Sequence, residues 1–194
     1  MNSNFELSEI ELWRPTNTRL EQDIRGLGDL LHDCVHGGAA VSFILPFSRE
    51  DAAAFWRNKV LPAVQDGTCR VVIARRDEQI VGTVQVDLAT PPNQPHRAEI
   101  KKLLVHPSAR GAGIARALMR AIEEQARGAH RTLLTLDTAS VAAEHLYASL
   151  GYVRVGIIPR FSLRPDAPEL EATTVMYKEL SPASRSDPSG TSRH

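Results

Sequence analysis

The chain has 194 residues, 42% of them hydrophobic and 24% charged, a composition that suits a globular domain large enough to bury a core. Lys and Arg number 23, as do Asp and Glu, so no net field directs the chain to nucleic acid or to a membrane surface. Cys34 and Cys69 cannot build a disulfide framework, no apolar run reaches the ~20 residues of a membrane helix, and no signal-peptide core is evident, so a cytoplasmic location is expected.

Apolar and polar residues alternate from Phe5 to Trp13, which predicts a first strand broken by Pro15 and Asn17. Leu20, Ile24, Leu27, Leu30, Leu31 and Val35 recur at helical spacing, and Gly37-Gly38 ends that helix. Ser48 is placed to cap a second helix running to about Val64. Strands follow at Cys69–Ala74 and Gln79–Leu88, with Arg75–Glu78 as their turn, and a third spans Arg97–Val105. Ile114, Ala115, Leu118, Met119, Ile122 and Ala126 form the apolar face of a helix that Gly128 closes. Arg131–Asp137 reads as a strand, Val141–Leu150 as a short helix stopped by Gly151, and Tyr152–Ile158 and Glu171–Glu179 as the last strands. The order βααβββαβαββ is an α+β layout with a mixed, mostly antiparallel sheet. Residues 1–180 form one domain in this reading, and the polar stretch 181–194 is expected to be a disordered tail.

The segment Pro107–Leu118 carries the strongest chemical signal. It joins a strand to a long amphipathic helix and holds Gly111 and Gly113 on either side of Ala112. Glycines leave backbone N–H groups uncovered, and a helix start has unpaired donors with about half a positive charge, so the turn attracts anions. Arg110 adds a full cation at its mouth. A phosphate or pyrophosphate of a nucleotide-containing cofactor is the expected occupant. The loop has no Gly-Lys-Ser/Thr ending, which removes the lysine and the magnesium-binding hydroxyl of a phosphate-loop nucleotidase.

These residues resemble the GNAT superfamily of acyl-CoA-dependent N-acyltransferases. Its pyrophosphate signature, Arg/Gln-x-x-Gly-x-Gly/Ala, is met by Arg110-Gly111-Ala112-Gly113-Ile114-Ala115. A second signature, Asn-x-x-Ala-x-x-x-Tyr-x-x-x-Gly-Phe/Tyr, is met by Ala143, Tyr147, Gly151 and Tyr152, with Ser140 where Asn is usual. The resemblance covers roughly residues 5–180 and implies a GNAT-like sheet of about seven strands with four helices. Within the superfamily, Val35–Phe43, Leu103–Arg110 and Leu134–Thr138 are similar to the tabtoxin resistance group, which acetylates a β-lactam-containing amino-acid toxin.

What the resemblance implies is acetyl transfer from acetyl-CoA, as co-substrate and without a metal, to a primary amine of a small molecule, such as an amino-acid-like toxin or antibiotic. The pantetheine arm would lie between the strand Glu99–Val105 and the strand Arg131–Asp137, paired with backbone around Leu103, Leu104 and Val105. A backbone N–H there, of Leu104 or Val105, would bond the thioester oxygen. The diphosphate would rest on the amides from Arg110 to Ala115, with Ser140 and Tyr147 completing the cofactor site. Tyr147 is the candidate acid for the leaving thiolate, and Asp137 or Glu99 the candidate base for the acceptor ammonium. Asp137 could equally cap the helix beginning near Val141, Glu99 could be a solvated or paired strand charge, and Tyr147 a core aromatic. Two alternatives stay open: a protein or peptide acceptor, and a module that senses acyl-CoA without turnover. The C-terminal strands could support a homodimer. His32 and His36 are spaced like a zinc-binding helix pair but lack the intervening Glu and a third ligand, so His36-Gly37-Gly38 reads instead as a substrate-side loop. Phe43, Phe47 and Trp56 read as core or pocket wall.

Overall fold

A computed structural model describes residues 9–16 and 18–181. In chain order the elements are β1 (Glu9–Leu12), α1 (Leu20–His36), α2 (Arg49–Phe55), a π-helical turn (Trp56–Val60), α3 (Leu61–Gln65), β2 (Cys69–Arg76), β3 (Gln79–Asp87), β4 (Arg97–Val105), α4 (Ile114–Gly128), β5 (Leu133–Thr138), α5 (Val141–Ser149), β6 (Val153–Leu163) and β7 (Leu170–Glu179). The seven strands form one sheet in the order β1-β2-β3-β4-β5-β7-β6. Its pairs are antiparallel except β4–β5. This is the expected α+β layout, with the second helix interrupted rather than uniform.

That interruption has a local cause. Ser48 caps α2 as expected, its hydroxyl accepting from the Asp51 amide in a reciprocal capping box. Further on, Pro62 has no N–H to return to the preceding turn, and the helix widens just before it, the Leu61 amide reaching back to the Trp56 carbonyl.

Both faces of the central sheet are covered, which explains why β2 and β3 read as nearly continuous apolar runs. Val72 and Ala74 pack with Leu118, Met119 and Ile122 of α4, while Val71 and Ile73 pack with Leu27, Leu31 and Trp56 on the other face. Each such fully buried aliphatic side chain stabilises the fold by about 1.5–3 kcal/mol. Gly82 on β3 lets α4 lie close, because a Cβ there would meet Leu118 Cδ1 at 3.0 Å and Ile114 Cγ2 at 3.1 Å. The start of α4 is thereby held tightly over β4.

Several boundaries differ from expectation. The β2–β3 turn is confined to Asp77 and Glu78, both with positive φ (47° and 66°). Gly128 is the last residue of α4 and not its stop; the left-handed residue is His130 at φ 58°. β1 begins at Glu9, and residues 5–8 of the predicted strand lie outside the described residues, as do residues 182–194 of the expected tail. β6 extends to Leu163, well past Ile158, and is an edge strand with Val153, Val155, Ile157, Ile158, Phe161 and Leu163 exposed.

Candidate active site

The site opens where the sheet comes apart. β4 and β5 pair only through Arg97–Leu133, Ala98–Leu134 and Glu99–Thr135 and then diverge, as predicted for these two strands. A bulge sharpens the divergence: the β3–β4 register shifts so that Lys102 and Leu103 together stand opposite Val84, with Lys102 at φ 53°. The opening is a cavity of about 730 Å³ that runs from the α4 N-terminus to the α1–α2 loop.

One end of this cavity is built to hold an anion. Gly113 caps α4 in the left-handed conformation (φ 76°), and Gly111 adopts φ 80°. A Cβ added at either glycine would meet nothing within 4 Å, so space beside them is left for something other than protein. Among the described residues, the amides of Gly111, Ala112, Gly113, Ile114, Ala115 and Arg116 donate to no protein acceptor. Unpaired donors converging on a helix start form an anion cradle. Arg110 and Arg116 line the same end, and each is held by its neighbours: Arg110 Nε donates to the Val105 carbonyl (3.3 Å) and Arg116 to the Ser149 hydroxyl on α5 (2.8 Å). Of the predicted cradle residues, only Ala112 is absent from the cavity lining.

Leu103, Leu104 and Val105 line the middle of the cavity. Their backbone groups do not all face it. The His106 amide donates to the Val81 carbonyl (2.9 Å), and hydrogen-bonded pairs alternate along an antiparallel ladder, so Leu104 opposite Thr83 points its polar groups at β3. Val105 points the other way, and its carbonyl receives Arg110 and, at 3.6 Å, the Cys34 thiol. Of the two candidate amides for a thioester oxygen, Val105 therefore faces the opening. Cys34 is buried beneath it, and burial pushes its thiol up to about 11, so it is no nucleophile.

Tyr147 on α5 packs in the core against Tyr152, with ring centroids 5.7 Å apart, and also lines the cavity. It is thus a core aromatic that also borders the cavity. Burial, with the nearby Asp137 charge, holds the phenol well above its ordinary value. Asp137, near the end of β5, lines the cavity and does not cap α5; its Oδ2 accepts from the buried Thr173 hydroxyl at 2.7 Å. The cap of α5 is Ser140, whose Oγ accepts from the Ala143 amide at 3.3 Å while the residue lines the cavity. Glu99 lines it as well, but is paired with Lys101 at 3.4 Å.

Three lining residues had no signal in the sequence. Lys102 is delivered by the bulge, which hydrophobic alternation does not reveal. Glu171 and Thr173 come from β7, which pairs with β5 in the sheet although 31 residues, 139–169, lie between the two strands. Gly37 and Gly38 also line the cavity, as expected of a substrate-side loop, and Phe43, Phe47 and Trp56 pack in the core beside it. His32 and His36 stack at 4.1 Å, and no group of three or more metal-ligating side chains occurs among the described residues. No described helix is long and apolar enough to cross a membrane.

Comparison with known proteins places this geometry. The family model described as acetyltransferase (GNAT) family matches residues 36–152. Rat N-acetyltransferase 8B is 28% identical over 131 residues, covering 60% of this chain and 59% of the rat protein, so the chain spans less than two thirds of that relative. An uncharacterised N-acetyltransferase of Azospirillum brasilense is 30% identical over 117 residues, covering 59% of this chain and 67% of that protein. Among solved structures, the ribosomal-protein-alanine N-acetyltransferase of Brucella melitensis aligns with a TM-score of 0.73 at 23% identity, over 89% of this chain and 99% of that one. A phosphinothricin acetyltransferase from Sinorhizobium meliloti, in complex with AcCoA, aligns with a TM-score of 0.72 at 16% identity, over 97% and 100%. With the family model spanning more than half of the chain, from the α1–α2 loop through both signature segments, the protein belongs to the GNAT family of acetyltransferases.

Proposed function

We propose that this protein transfers the acetyl group of acetyl-CoA to a primary amine of a small molecule, with toxin or antibiotic resistance as the setting that the tabtoxin-group resemblance implies. The observation that carries the reading is the continuity of one cavity from an anion cradle, past a free strand amide, to a phenol and a carboxylate. A thioester needs these groups in that order.

In this reading the diphosphate rests on the Gly111–Ala115 amides with Arg110, and the pantetheine arm fills the gap left by β5. The Val105 amide receives the carbonyl oxygen as it becomes an oxyanion. Asp137, its second oxygen fixed by Thr173, takes a proton from the acceptor ammonium directly or through water. The amine nitrogen attacks the carbonyl carbon and loses its second proton to water, the C–S bond breaks, and the sulfur takes up charge beside Tyr147. Because its environment raises the phenol above the ordinary ~10, while a thiol sits near ~8.5, complete transfer is uphill. Tyr147 therefore contributes chiefly a strong hydrogen bond to the departing thiolate. A homodimer through the edge strand β6 belongs to the same reading, supported by the exposed apolar residues of that strand.

The deciding experiment offers acetyl-CoA and a panel of small amines to the purified protein and records free thiol. Thiol release that requires an amine supports the proposal. Tight acetyl-CoA binding with no release across the panel would replace it with an acyl-CoA sensor, and acetylation of peptides alone would replace the small acceptor with a protein.

A further inference from the structure

The half of the cavity beyond the cradle contains a cation that has no carboxylate in ion-pair contact among the described residues. Lys102 is forced into the left-handed region (φ 53°) by the β4 bulge, where a non-glycine residue costs about 1–2 kcal/mol. Its side chain runs across to the opposite wall. Nζ lies 5.5 Å from the centre of the Phe43 ring and 5.9 Å from that of Phe55, and it donates to the Ser42 hydroxyl at 3.1 Å. An ammonium has three donors, and one is used here. Lys101 has Asp87 and Glu99, Lys178 has Glu123, and Lys59, which has no carboxylate either, is exposed to solvent. Lys102 has none within 4 Å among the described residues, although it lines the cavity.

The surroundings sharpen the contrast. Asp137 and Glu171 stand in the same half, and one carboxylate oxygen of Glu171 is buried with no hydrogen-bond partner. The acceptor half thus presents uncommitted negative charge from β5 and β7 and an uncommitted positive charge from β4. A simple cationic amine would satisfy the first and be repelled by the second.

We infer that Lys102, with the Ser42 hydroxyl, is an anion subsite that selects acceptors carrying a carboxylate or comparable oxyanion beside the reacting amine. The inference rests on the acetyltransferase reading and adds to it a specificity-determining residue and a chemical class, excluding polyamines and uncharged aryl amines. The rings of Phe43 and Phe55 hold the ammonium by cation–π attraction until the ligand arrives. Burial pulls this amine down to about 8, while Glu99 and Asp137 pull it up and Lys101 adds to the fall. A bound carboxylate would raise it again, so binding takes up a proton above about pH 8 and weakens there.

Two measurements test the subsite separately from the activity. The first follows the Lys102 ε-CH₂ signal by NMR, assigned through Lys102→Arg, while acetate or acetamide is added to the full chain with CoA. A saturable shift with acetate and none with acetamide is expected; no acetate response overturns the inference. The second compares kcat/KM for the twenty protein amino acids with their amides in the thiol-release assay. The acid should exceed the amide at least tenfold through KM for the accepted side chain, acetate should compete with the amine, and Lys102→Met should reduce the ratio to within about twofold while Lys102→Arg retains part of it. Equal use of acids and amides, a preference that survives Lys102→Met, or acetate binding that leaves the amine unaffected would each overturn the assignment. If no amine releases thiol yet acetate shifts Lys102, the anion site stands and the acetyl-transfer reading falls.

Discussion

Gly113→Val separates what the cradle does for folding from what it does for binding. At φ 76° a side chain is strained, and the cost of a left-handed non-glycine residue is about 1–2 kcal/mol. The Cβ itself adds no clash, because at Gly113 it meets no protein atom within 4 Å. For a domain of this size, 1 kcal/mol corresponds to roughly 2–4 °C in Tm, so the variant should fold and melt about 2–8 °C lower. The valine methyl groups would occupy the space in front of the unpaired amides of the α4 start. Two charge-assisted hydrogen bonds to a diphosphate, at about 1.5–3 kcal/mol each, would be lost, which lowers CoA affinity by at least on the order of a hundredfold. Calorimetric titration with CoA and thermal melts with and without it read both quantities. At a hundredfold excess over Kd, the wild type should gain about 2.7 kcal/mol from CoA, and the variant almost nothing at the same concentration. A variant that melts slightly lower yet binds CoA normally would show that the diphosphate lies elsewhere. A variant that fails to fold would show that the glycine serves packing, against the open space around it.

Tyr147→Phe should cut kcat by roughly 10–100-fold and leave CoA affinity within about twofold, measured by thiol release and calorimetry; unchanged kcat removes the phenol from the reaction. Because that phenol is held above its ordinary value, it stays protonated through the alkaline range, and the wild-type kcat profile should show no loss from this group below about pH 10. Asp137→Asn should lower kcat/KM on the order of a hundredfold, and Thr173→Val, which frees the Asp137 carboxylate from its 2.7 Å anchor, should lower it less; a larger loss in Glu99→Gln would make Glu99 the base. Asp23 is a stability test far from the cavity: it is buried and accepts from Trp13 Nε1 at 3.0 Å and from Arg75 at 2.8 Å. Asp23→Ala leaves that buried guanidinium short of a partner and should cost about 3–5 kcal/mol in urea unfolding.

The donor half of the site was legible because its chemistry is local. A phosphate cradle is made of consecutive amides, so Arg110–Ala115 carries it in six adjacent letters, and the helix start that supports it follows at once. The same locality made the helix faces and the order of strands readable. What failed to show were features set by pairing partners. The β4 bulge depends on its register against β3, and nothing within Arg97–Val105 marks Lys102 as turned out of the alternation. The length of β6 depends on β7, and the predicted strand stops at Ile158 because Pro159 interrupts the apolar pattern. Whether Asp137 caps α5 depends on partners outside its own segment: Ser140 is the cap, and Asp137 accepts from Thr173 on β7 instead.

The acceptor half is assembled from segments far apart in the chain. The α1–α2 loop brings Ser42 and Phe43, the bulge brings Lys102, the end of β5 brings Asp137, and β7 brings Glu171 and Thr173. None of these carries a motif alone, because each supplies one side chain and no backbone pattern. On the proposed reading, a change in any one of them would alter the acceptor and leave the Arg110–Ala115 amides in place. This physical separation explains why two short signatures identify the family while the substrate has to be argued from charge. It also makes the acceptor half the place where charge is informative: Lys102 has no carboxylate in ion-pair contact among the described residues, and one Glu171 carboxylate oxygen is buried without a hydrogen-bond partner, which costs stability.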